Sequence, residues 1–98
     1  MTSKERAFLR SQGQLLEPSV QVGKDGVIPE TSANTDDALR AHELVKINVQ
    51  RTCLTPVREI ADMIAERTHS DVVQVIGRKI VLYRYSKDAK KHVPLKEE

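Results

Sequence analysis

Apolar residues along the chain switch between two periods, and the switches mark its elements. Val45, Ile47 and Val49 alternate with Lys46, Asn48 and Gln50, so Leu44–Gln50 reads as a strand with one buried and one polar face. Val57, Ile60, Ala61 and Ile64 follow the i, i+3, i+4, i+7 stripe of an amphipathic helix, with Arg58, Glu59, Asp62 and Glu66 outside it. Thr55-Pro56 supplies that helix with an N-cap and a proline at its first position. Asp71–Ile76 and Lys79–Tyr85 are β-rich runs joined at Gly77-Arg78, a two-residue turn of type II′ composition.

The first half carries weaker periodicity and stronger punctuation. Thr2-Ser3-Lys4-Glu5 has the T-x-x-E form of a capping box and starts a helix at Ser3, with Phe8, Leu9, Leu15 and Leu16 on its apolar side and Gly13 at its end. Pro18 blocks further helix and leads into a strand, Ser19–Val22, followed by the turn Gly23–Gly26. Pro29 to His42 reads as helix because Pro29 suits the N1 position and a clear strand follows. Its apolar positions are only Ala33, Ala38, Leu39 and Ala41, and Thr31, Ser32, Asn34 and Thr35 are indifferent helix formers.

The order α-β-α-β-α-β-β predicts an α+β fold: a two-layer sandwich with a mixed four-stranded sheet. Right-handed crossovers place the helices on one face. Gln21, Lys46, Asn48 and Gln74, polar at alternating strand positions, leave the other face partly wet. The 98 residues are enough for one domain, expected over 1–86, with a basic flexible tail over 87–98.

Composition narrows the chemistry. The aromatic share is 3%, too little for a sheet that reads RNA by stacking bases on exposed rings; Tyr85 is the only stacking candidate. The single cysteine, Cys53, cannot form an internal disulfide, and it reads as a small apolar filler. No signal peptide or long apolar run appears, so the expectation is a soluble, cytoplasmic protein without a membrane partner. His69 and His92 are too scattered to make a metal site with Cys53, and His42 reads as a structural residue, through a hydrogen bond or the helix C-terminal dipole. With no nucleotide loop or triad order, no enzyme, cofactor or small-molecule substrate is expected.

The net charge of +2 divides unevenly. Lys4, Arg6 and Arg10 against Glu5 give residues 1–12 a balance of +2, and residues 78–98 carry +4, around a centre of −4. Basic ends around an acidic centre fit a polyanion touching one side of the molecule.

Three stretches then act together: the Gly23-Lys24-Asp25-Gly26 turn, Leu39–Val49 (LRAHELVKINV) and Val73–Arg84 (VQVIGRKIVLYR). In this order they resemble the signature segments of the CRM domain (chloroplast RNA splicing and ribosome maturation), whose stand-alone bacterial form is YhbY. The resemblance runs from Lys4 to Arg84. It implies a fold similar to the C-terminal domain of bacterial translation initiation factor 3, with a loop like the GXXG of KH domains. It also implies a protein that binds RNA and associates with precursors of the large ribosomal subunit; the expectation is a non-enzymatic monomer on structured ribosomal RNA. Matched by position, Gly23, Lys24, Asp25 and Gly26 are the loop, and Arg78, Lys79 and Arg84 are the basic positions around the last hairpin. Lys4 and Arg10 join them as phosphate contacts from the basic N-terminal end. Asp25 departs from the pattern, since a carboxylate in the loop repels phosphate. The competing reading is an adaptor that rides on a ribosomal protein through the polar sheet face and touches no RNA.

Overall fold

At the N-terminus the capping box forms as its sequence requires: the Thr2 hydroxyl accepts from Glu5 N–H (3.1 Å), and Thr2 N–H donates to Glu5 Oε1 (2.9 Å). Helix α1 (Ser3–Gly13) follows. The computed structural model describes residues 1–95; Lys96, Glu97 and Glu98, counted above in the basic tail, lie outside the described residues. After α1 come β1 (Val20–Val22), α2 (Pro29–His42), β2 (Leu44–Val49), α3 (Val57–Thr68), β3 (Asp71–Ile76) and β4 (Lys79–Tyr83). Helical geometry in α3 starts one residue later than the Thr55 cap implies. Pro56 is extended (ψ 141°) and takes the N-cap position without a side-chain cap.

The sheet has the order β1-β2-β4-β3; β1 and β2 are parallel, and the other pairs antiparallel. Gly77 turns the hairpin at φ +58°, and Arg78 stays at negative φ, in keeping with the type II′ composition.

Neighbouring β4 residues serve different cores. Ile80 and Leu82 join Val22, Ile47 and Val49 beneath Leu39 of α2 and Ile60 and Ile64 of α3. Val81 joins Leu44, Val73 and Leu9 of α1 on the reverse side. The α+β class therefore holds, but the expectation of helices on one face holds only for the two crossover helices. Helix α1 covers the second face, because Leu44 and Val81 are apolar there and a bulge between Val72 and Gln74 lets Val73 join them. Gly13 permits the close approach: a Cβ on it would sit 3.0 Å from both Val81 γ-carbons. The β1 side of this face stays wet, where Asn48 Nδ2 donates to Gln21 Oε1 (2.8 Å), and at the far edge Ile76 is exposed.

Helix α2 buries Thr31, Thr35 and Leu39, one stripe at i, i+4, i+8. Thr35 Oγ1 donates to the Thr31 carbonyl (2.8 Å), which pairs that buried hydroxyl, whereas Ser32 Oγ is buried without a partner among the described residues.

The expected flexible tail from residue 87 is corrected as far as Leu95. Ser86 and Ala89 are buried, and Val93 and Leu95 pack against the α1 cluster. The anchor is Glu43, fully buried at φ +69°. Its carboxylate accepts from Ser86 N–H (2.8 Å) and Val93 N–H (2.8 Å), and its Oε2 pairs with His92 Nδ1 (2.7 Å). His92 stacks on Tyr85, with ring centroids 5.2 Å apart, which makes the stacking candidate part of the same strap. Burial pushes the Glu43 carboxyl up, but the Ser86, His92 and Val93 hydrogen bonds outweigh it and hold the group below the ordinary carboxylate range.

A depressed carboxylate contributes stability above its unfolded pKa and loses it as pH falls through the lower folded value. Wild-type stability should therefore be level above about pH 4.5 and decline below it. Asp36, held down by its hydrogen bond to Arg84, adds a decline of the same sign, so Glu43→Gln isolates the Glu43 share. Urea midpoints should place Glu43→Gln about 2–3 kcal/mol below wild type at pH 7, with the gap closing toward pH 3. A gap of equal size at both pH values would show that the Glu43 charge plays no part.

Candidate nucleic-acid interface

Parallel pairing brings the carboxyl ends of β1 and β2 to the same end of the sheet, and the loops leaving them stand side by side. Gln50 N–H donates to the Val22 carbonyl (2.8 Å) and Val49 N–H to the Arg78 carbonyl (2.8 Å). These bonds tie the Gly23–Gly26 turn, the β2–α3 loop and the hairpin tip into one surface. Open sheets with parallel strands present their ligand sites at such carboxyl ends.

Gly26 N–H donates to the Gly23 carbonyl (3.0 Å) and closes the turn, with Lys24 and Asp25 exposed at its apex. Only Gly26 is left-handed, at φ +71° with open space where a Cβ would point. A Cβ on Gly23 would lie 3.3 Å from Gln50 Oε1, the mobile end of an exposed side chain. The α2 N-terminus beside the loop offers fewer donors than a free helix end: Pro29 has no N–H, and Ile28 N–H donates to Thr31 Oγ1 (3.3 Å). The loop can therefore offer a phosphate its exposed backbone and the Lys24 ammonium, with Asp25 opposing.

The remaining expected site residues separate. Lys79 is half-buried beside the loop end, in register with Asn48. Arg78 is there too, but as a clamp: Nε donates to the Val49 carbonyl (2.8 Å), and Nη2 to those of Gln50 (2.8 Å) and Cys53 (3.2 Å). Arg84 sits past the other end of β4. Its Nη1 donates to Asp36 Oδ1 (2.6 Å) and to the Thr68 carbonyl (2.7 Å), joining α2 to the end of α3. Both arginines, which the resemblance matches to basic positions around the hairpin, hold the protein's own chain. Lys4 and Arg10 lie on α1, whose Leu9 packs on the reverse face near Leu44 and Val81, away from the loop end. Arg51, exposed in the β2–α3 loop, went unnoticed in the sequence although the parallel order of β1 and β2 places it beside the turn. His42 is exposed in the last turn of α2, at the helix C-terminal dipole, and makes no side-chain hydrogen bond among the described residues.

Comparison with known proteins bears on this geometry. The family model for the CRS1 / YhbY (CRM) domain matches residues 1–84. The chain belongs to the CRM domain family. A Bacillus subtilis protein named as the probable RNA-binding protein YqeI is 39% identical to this CRM domain over 90 residues, covering 92% of this chain and 94% of the relative. An RNA-binding protein of Haemophilus influenzae is 33% identical over 96 residues, covering 98% and 97%. A solution structure of a hypothetical Staphylococcus aureus protein aligns with the CRM domain at a TM-score of 0.77 and 38% identity, covering 89% of this chain and 91% of its own. Among the described residues no helix is long and apolar enough to cross a membrane.

The two glycines of the loop should respond differently to substitution. Gly26→Ala places a Cβ in the left-handed region and should cost about 1 kcal/mol, whereas Gly23→Ala should stay within about 0.5 kcal/mol. Equal shifts of the urea midpoint would contradict the turn geometry. For the clamp, Arg78→Gln should lose about 2–3 kcal/mol, since it removes charge-assisted bonds from three carbonyls. An unchanged midpoint would return Arg78 to the solvent-facing surface.

Proposed function

We propose that this CRM domain is a non-enzymatic, monomeric, cytoplasmic protein that binds structured ribosomal RNA on precursors of the large subunit. The relatives named as RNA-binding proteins support the RNA partner. The observation that carries the reading is the meeting, at one end of the sheet, of the exposed Gly23–Gly26 turn with Lys24, Arg51 and Lys79. The cations attract phosphate from any sequence, and the turn lets a sugar-phosphate backbone approach closely. Preference for one RNA then arises from its shape and 2′-OH groups. Asp25 weakens the local field and keeps the contact reversible.

Binding to a ribosomal RNA fragment should weaken with salt at a log–log slope of about −2 to −3.5, the value for three or four phosphate contacts. Lys24→Gln, Arg51→Gln and Lys79→Gln should each make the slope shallower by roughly 0.7 to 0.9. Asp25→Asn should tighten binding by up to about 1 kcal/mol. Tight binding with a flat salt response would rule out this interface. Retention of a ribosomal partner after nuclease treatment, without RNA affinity, would favour the adaptor reading instead.

A further inference from the structure

At the end of the sheet opposite the loop, a groove of about 860 Å³ runs between the end of α1, the α2–β2 junction and the C-terminal strap. Leu16, Leu44, Val45 and Val93 give it apolar walls. Four potential cations, His42, Lys46, Lys90 and Lys91, line it, against the two carboxylates Glu17 and Asp88. His42, Lys90 and Lys91 are exposed, and none of the three takes part in an ion pair among the described residues. Lys46 makes one long bond, Nζ to the Leu16 carbonyl at 3.4 Å, so its ammonium stays available. The strap wall is held in place by the buried Glu43 through Ser86, His92 and Val93. Volume and lining match small-ligand sites, which are mostly apolar with a few placed polar groups.

We propose that this groove holds one unpaired nucleotide, its base against the apolar walls and its phosphate on Lys46, Lys90 and Lys91. An apolar interior with a cationic lining suits a ligand that is flat and apolar at one end and anionic at the other. A nucleotide has that division. Gln12, Ser19 and Asp88 supply donors and acceptors for the base edge. The proposal rests on the RNA reading above and adds to it a second contact at the far end of the sheet. The same chemistry would accept a free nucleoside monophosphate, and the experiment separates the two sources.

Three ligands serve as probes: an RNA hairpin with one bulged nucleotide, the same hairpin fully paired, and AMP. Three variants are compared with wild type, each checked by thermal melting. Ala41→Trp fills the groove from an exposed position on α2, and the double variant Lys90→Gln with Lys91→Gln removes charge from exposed strap positions without touching the core. Lys24→Gln with Lys79→Gln serves as the loop control. Wild type should prefer the bulged hairpin by about ten-fold, the factor that one base contact provides. Both groove variants should erase that preference and leave affinity for the paired hairpin near wild type, whereas the loop variant should weaken both hairpins alike. Loss of hairpin binding in the loop variant, with the bulge preference absent in wild type or intact in both groove variants, would overturn the groove and leave the proposed function standing. If no hairpin binds, saturable AMP binding that both groove variants abolish would make the free nucleotide the ligand, and its absence would overturn the proposal.

Discussion

The parallel pairing of Val20–Val22 with Ile47–Val49 covers only three register pairs, yet it constrains most of the molecule. Parallel neighbours cannot be joined by a tight turn, so the chain must cross over through α2, and the right-handed crossover fixes the face on which α2 lies. Helix α3 shares that face and the same apolar core. Because both strands end together, the loops that follow them meet at one end. The glycine turn and Arg51, distant in sequence, become neighbours for that reason alone.

Three arginines of this chain turn inward. Arg6, Arg78 and Arg84 each direct a guanidinium at backbone carbonyls, and Arg84 adds the Asp36 carboxylate. A planar fork with several fixed donors suits such internal bridging, whereas the compact, strongly hydrated lysine ammonium stays in water. Lys24, Lys90 and Lys91 are accordingly exposed. Arg78 still contributes its charge to the loop end, but its place in the protein is that of a tie between β4 and the β2–α3 loop.

The elements legible from sequence were those in which one period dominated. The Val45–Ile47–Val49 alternation and the Val57–Ile64 stripe gave strand and helix directly, and Pro29 set the start of α2 without help from its composition. Less legible were features that depend on distant partners. The reverse-face position of α1 required the bulge at Val72/Gln74 and the bare glycine against Val81. The strap hid its buried Ser86 and Ala89 among lysines, and its order depends on Glu43, which lies in sequence between a histidine and a strand. At the interface, the turn was visible as a motif. The engagement of Arg78 and Arg84 was not, because an internal bridge and an exposed phosphate contact use the same residue type.

Glu43 also orders events in time. Its nearest donor partner lies 43 positions further along the chain and another lies 50 positions on. Before those groups arrive, nothing else among the described residues satisfies this carboxylate. Until then the acid must keep its water, and the junction stays open to solvent at the spot where the finished protein is dry. Closure of the strap and dehydration of Glu43 are thus one step. By the same linkage the strap cannot lift without returning the Glu43 carboxylate to water.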